Sequence, residues 1–232
     1  MPPTQRTARI AGLLYLLTFV SIPTLSLYRG LKTPGYAVGA GPADASSSAL
    51  LAAFLEIVVA LACIGTAVAL YPLVRRQSTS LALGFVGART LEAAMIFSGV
   101  ASILTLISVR DPAASGATAA ALTVQGEALV GYYGFAFLLG QSLMPGINAL
   151  LLGTLLYRSR LVPRVLPLIG LIGAPIHLTA VLLTVFGVIT AISPITLLAA
   201  LPIALWEFSL GVYLLTRGVR QSAGLEGQPA AP

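Results

Sequence analysis

The sequence predicts an all-α protein, a polytopic integral membrane bundle of six transmembrane helices with both termini in the cytoplasm. Three observations carry that prediction. Of 232 residues, 57% are hydrophobic and only 9% are charged, whereas a soluble domain has about a quarter charged residues. The apolar residues fall into six runs, each long enough for the roughly twenty residues that one crossing needs. The Lys and Arg residues gather at the ends of those runs, mostly on alternate loops. The net charge of +6 is therefore a topology signal and not a nucleic-acid groove, and no nucleic-acid partner is expected.

The first run, residues 10–28, follows Arg6 and Arg9. A cleaved leader shares that layout, but the length of the run and the lack of a small-x-small cleavage site favour a retained helix, bent near its end by Pro23. The loop "RGLKTPGYAVGAGPADASSS" is rich in Gly, Pro and Ser, and one of Ser46 to Ser48 is placed to cap the next helix. The second span, 49–74, stops at Arg75 and Arg76, and the third covers 81–109. "DPAASGATAAA" is a loop of low complexity. The fourth span, 125–157, is long and carries Pro145 and Gly146 as a kink. After the basic turn "RSRLVPR" the fifth span covers 165–190, and "AISP" turns into the sixth, 195–216. Residues 1–217 thus form a single transmembrane domain, and 218–232 read as a disordered cytoplasmic tail.

Orientation follows from the basic residues. Arg6, Arg9, Arg75, Arg76, Arg158, Arg160, Arg164, Arg217 and Arg220 fall on one side, nine in all, against Arg29, Lys32 and Arg110 on the other. That excess assigns the N- and C-termini to the cytoplasm.

Five ionisable residues lie within the predicted spans: Glu56, Arg89, Glu92, His177 and Glu207. Facing lipid, each would cost roughly 2.5–3.5 kcal/mol or more at mid-bilayer, so all are expected to point into the bundle. At a rise of about 1.5 Å per residue, Arg89 and Glu92 reach about 12 and 17 Å from the cytoplasmic side, Glu207 about 15 Å and His177 about 18–20 Å. These four are expected in one layer, with Glu56 higher at about 25 Å. "RTLE" puts Arg89 and Glu92 on one helical face. One Arg among three acids leaves the group short of positive charge. Either His177 is protonated, or a Glu is neutral, or a cation or cationic substrate completes the site. Gln141 and Asn148, seven apart, share a face at nearby depths. Trp206 sits too deep for an interfacial role and either packs the bundle or walls a pocket, packing being preferred. Glu127 is expected at the mouth of the fourth span, beside Tyr132 and Tyr133 of an aromatic belt. Gly84, Gly87, Gly170 and Ala174 offer small surfaces for close helix approach.

Buried Arg–Glu and amide contacts also serve purely to fix helix register, so this cluster does not by itself imply a substrate. One His and one Cys leave no ordinary ligand set for zinc or haem iron, and no metal or cofactor is expected. The fragment "FSGVAS" lacks the context of a nucleophile elbow, and no catalytic residue is assigned. Glu56 lies nineteen positions before Arg75 but Glu207 only ten before Arg217, which argues against an inverted repeat.

Four segments, "RTARIAGLLYLLTFV", "RTLEAAMIF", "YRSRLVPRVLPLIGLIG" and "LPIALWEFSLGVYLLTRG", resemble in that order the bacterial integral-membrane family called domain of unknown function 4386. The resemblance covers nearly the whole chain. It implies a six-helix prokaryotic membrane protein and places Arg89, Glu92, Trp206 and Glu207 in the family pattern, with no catalytic assignment. Three functions stay open. The first is transport or permeation of a proton, ion or small solute through the polar cluster. The second is a role as a non-catalytic membrane partner or stress-linked regulator, and the third a membrane-embedded enzyme or binder acting on a lipid or isoprenoid-like molecule. The expected partners are the lipid bilayer and a small solute, ion or lipid ligand, with homo-oligomerisation left open.

Overall fold

The computed structural model describes residues 3–110 and 116–220. Its elements are α1 (Pro3–Leu17), α2 (Thr24–Leu27), α3 (Ala45–Val74), α4 (Thr79–Val109), α5 (Ala119–Phe137), α6 (Met144–Ser159), α7 (Val165–Val185) and α8 (Pro194–Arg217). Short 3-10 turns join α1 to α2 and shape the loop before α3, and a π-helical turn, Leu138–Leu143, links α5 to α6. No strand occurs among the described residues. Six helical segments are long and apolar enough to cross a membrane, the shortest being Val165–Val185 with 21 residues. At about 1.5 Å per residue that segment just covers a hydrocarbon core of about 30 Å.

The helix ends follow local chemistry more closely than the apolar runs do. α8 starts one residue before its predicted span because Ser193 accepts a hydrogen bond from the Thr196 amide (3.2 Å) and Pro194 fills the first turn. It stops at Gly218, whose φ of 70° suits only a residue without a side chain. Thr118 caps α5 at the Ala121 amide (3.3 Å), so the fourth helix begins at Ala119, ahead of the predicted 125. Within the loop predicted at "DPAASGATAAA", residues 111–115 lie outside the described residues. α3 begins at Ala45, a turn earlier than expected. The predicted cap among Ser46 to Ser48 is corrected accordingly: Ser46 instead contacts the Tyr36 hydroxyl (2.8 Å) and accepts from Arg110 Nη1 (3.0 Å). α7 ends at Val185, where Gly187 (φ 72°) turns the chain, short of the predicted 190.

The chain forms two compact units. The first comprises residues 1–16, 65–88 and 145–232. In it α7 and α8 run antiparallel, with Gly170 beneath the Trp206 ring and Gly173 against Pro202. α1 runs antiparallel to α8, so that Gly211 lies against Tyr15 and Leu16. Small residues let these backbones approach where lipid supplies no hydrophobic drive. Gly87, expected to do the same, instead has open space beside it. Gln5 clamps the C-terminal end, donating from Nε2 to the Val219 carbonyl (2.7 Å) and accepting from the Val219 amide (3.1 Å). The Arg220 amide donates to the Leu161 carbonyl (2.8 Å). Of the tail predicted as disordered, residues 218–220 are instead tied down, while 221–232 lie outside the described residues.

The second unit comprises residues 17–64 and 89–144. Its loop before α3 is pinned by Arg110, which stacks 4.4 Å over the Tyr36 ring and donates to the Gly39 carbonyl (3.3 Å). Two apolar clusters fill the unit, one around Tyr28, Leu106 and Tyr133, the other around Val59, Cys63 and Ile96.

The pattern of exposure is the reverse of a soluble protein. On α3, Leu50, Phe54, Leu61 and Val68 face outward, whereas Ala49, Ala52, Glu56, Ala60, Cys63 and Ala67 are buried. Large apolar side chains outside with small and polar ones inside is the arrangement hydrocarbon demands.

Candidate functional site

Glu56 sits at the middle of the buried stripe of α3 and is wholly inaccessible. Its Oε1 accepts hydrogen bonds from the Tyr133 hydroxyl (2.7 Å) and from Gln141 Nε2 (3.1 Å). Its Oε2 accepts from the Tyr28 hydroxyl (3.2 Å). The two tyrosines stack edge to face, with ring centroids 4.9 Å apart. All three of these donors are neutral.

The third donor owes its position to a proline. Pro145 has no N–H, and its ring excludes the carbonyl four residues earlier, that of Gln141. The helix widens just before it into the π-helical turn Leu138–Leu143 rather than breaking. Gln141 stands on that turn. Gly140 lets the widened turn close on α4, since a Cβ there would lie 2.7 Å from that of Met95. The predicted kink at Pro145 and Gly146 is thus a π turn, and it alters the phase of the helix between Gln141 and Asn148.

In the same unit Arg89 Nη1 lies 2.9 Å from Glu92 Oε2, one helical turn away on α4. Nη1 also approaches Cys63 Sγ at 3.6 Å. Arg89 is 1% exposed and Glu92 4%, so the pair neutralises itself inside the unit and offers little charge for a ligand to meet.

Asn148, His177, Trp206 and Glu207 belong to the first unit. Asn148, His177 and Trp206 are buried, and Glu207 is half-buried. Trp206 packs its ring on Gly170, where a Cβ would come within 2.6 Å of Cδ2. His177 lies near Gly146, where a Cβ would be 3.5 Å from its Cδ2. The structure puts Glu56, Arg89, Glu92 and Gln141 in one unit and Asn148, His177, Trp206 and Glu207 in the other.

Two partners of Glu56 were not anticipated. Tyr133 was expected in an aromatic belt beside Tyr132, but it is 4% exposed and turned inward. Adjacent helical residues point about 100° apart, so one of the two tyrosines can turn inward while the other faces lipid. That one is Tyr132, which hydrogen-bonds to Ser98. Tyr28 closes the first apolar run, and no spacing rule links it to a residue 28 positions later. Among the described residues no three His, Cys, Asp or Glu side chains converge as metal ligands.

The family model described as Domain of unknown function (DUF4386) matches residues 10–218. Neither the curated proteins nor the solved structures include a match to the chain.

Proposed function

The chain belongs to the family Domain of unknown function (DUF4386), and from that premise we propose that it carries a proton, a cation or a small polar solute across a bacterial inner membrane, with Glu56 as the binding group. The observation that carries this reading is a fully buried carboxyl surrounded by three neutral donors. A carboxylate kept only to fix helix register is best neutralised by a cation, as Glu92 is by Arg89 in the same unit. Around Glu56 the tyrosine hydroxyls can donate to a carboxylate or accept from a carboxylic acid, so both protonation states find partners. The π turn that carries Gln141 supports the same reading, because such turns collect at functional sites.

The membrane orientation belongs to this proposal. Gln5, the turn at Leu161 and residues 219–220 are hydrogen-bonded together, so the N-terminal start, the α6–α7 turn and the C-terminal end share one side. The basic residues concentrated there support a cytoplasmic location for that side. The test is flux in liposomes containing the purified chain. A pH gradient, and separately sodium and potassium gradients, should drive uptake that falls at least tenfold in Glu56→Gln at unchanged thermal midpoint. Equal flux in wild type and variant would overturn the assignment.

A further inference from the structure

At the loop end of the second unit, the 3-10 turns before α3 and the first turns of α5 enclose a groove of about 330 Å³. Its floor is apolar, from Leu31, Ala37, Leu106 and Val130, while Lys32 lines the loop wall and Glu127 the α5 wall. Both walls are fixed. Ala37 seats on Gly126, where a Cβ would come within 2.7 Å, and Arg110 pins the loop through Tyr36, Ser46 and Gly39.

Lys32 and Glu127 form no ion pair with each other, and Glu127 has no hydrogen-bond partner among the described residues. Lys32 Nζ lies 5.8 Å over the ring of Tyr133, the residue whose hydroxyl donates to Glu56. Two exposed, oppositely charged residues thus line one groove together with apolar side chains. A lone cation is attracted by Glu127 but repelled by Lys32, and a lone anion the reverse, whereas a molecule bearing both charges can be attracted by both residues. The volume falls at the small end of ligand sites, about 300–1,000 Å³.

We infer that this groove binds small zwitterions, molecules that carry an ammonium group and a carboxylate or phosphate around a short apolar body. It names the substrate class for the transport reading of Glu56 and, as far as transport goes, rests on that reading. Tyr133 lies beneath Lys32 and hydrogen-bonds to Glu56, so one buried residue touches both.

The test uses the full chain in nanodiscs of phosphatidylglycerol alone, so that no lipid brings an ammonium group. Isothermal titration compares leucine with two single-charge analogues, 4-methylpentanoate and isopentylamine, and with glycerophosphoethanolamine, the free form of a lipid headgroup. Leucine should bind at least tenfold more tightly than either analogue, and Lys32→Ala and Glu127→Gln should each lose at least tenfold. Binding of glycerophosphoethanolamine without leucine supports the zwitterion site and identifies a lipid headgroup as its source. If neither zwitterion binds, or the analogues bind as well as leucine, the inference is overturned; that comparison needs only the wild-type chain, so it stands even if a variant fails to fold. Leucine binding to a chain that carries neither leucine nor any proton or cation flux in liposomes would refute the transport reading and leave the groove assignment intact.

Discussion

Truncating Glu56 to alanine removes the acceptor for three donors at once: Tyr133 at 2.7 Å, Gln141 at 3.1 Å and Tyr28 at 3.2 Å. Tyr28 and Tyr133 are buried, so water cannot readily replace the lost acceptor. Hydrogen bonds between membrane helices average about 0.6 kcal/mol and reach about 1.7. Three of them give a loss of about 2–5 kcal/mol for Glu56→Ala. Glu56→Gln behaves differently. Its carbonyl can take the place of Oε1 and keep Tyr133 and Gln141, while its amide faces Tyr28, whose hydroxyl turns from donor to acceptor. The expected stability change is then under about 1 kcal/mol. Equilibrium unfolding in mixed micelles measures both variants, and a cycle with Tyr133→Phe isolates the shortest bond. If Glu56→Ala unfolded with the wild type, or if Glu56→Gln lost as much as Glu56→Ala, the three-donor account would be wrong.

Arg89→Met leaves Glu92 buried without its cation and should cost about 3–5 kcal/mol, with most of it recovered in Arg89→Met/Glu92→Leu; unfolding of the single and double variants decides. Gly170→Ala drives a methyl to within 2.6 Å of the buried Trp206 ring and should cost about 1–3 kcal/mol. Gly87→Ala, with nothing within 4 Å, should be neutral or stabilising by up to about 1 kcal/mol; thermal midpoints in detergent give the comparison. Gln5→Ala loses both hydrogen bonds to Val219 and should cost about 1–3 kcal/mol. Hydrogen exchange at the Val219 amide should rise while exchange in α3 stays unchanged.

The sequence by itself determined the class of this protein: an all-helical chain with six segments of crossing length and a family membership spanning nearly the whole of it. Those properties depend on composition and on runs of about twenty residues, which a linear reading captures because a span must satisfy its own backbone hydrogen bonds. It also marked Arg89 with Glu92, whose pairing is a matter of helical spacing. Only the tertiary structure decided what surrounds Glu56. Tyr28, Tyr133 and Gln141 come from two other stretches of chain, and each was hidden for a different reason. Tyr28 lies at the end of a run, Tyr133 has an equivalent-looking neighbour in Tyr132, and Gln141 is aimed by a π turn that Pro145 imposes. The shared groove of Lys32 and Glu127 was equally out of reach, because a loop of glycines and prolines has no period from which to read where its side chains meet a helix. Hydrophobic length is written along the chain, whereas a polar site in a bundle is written across it, in contacts that exist only once the helices pack.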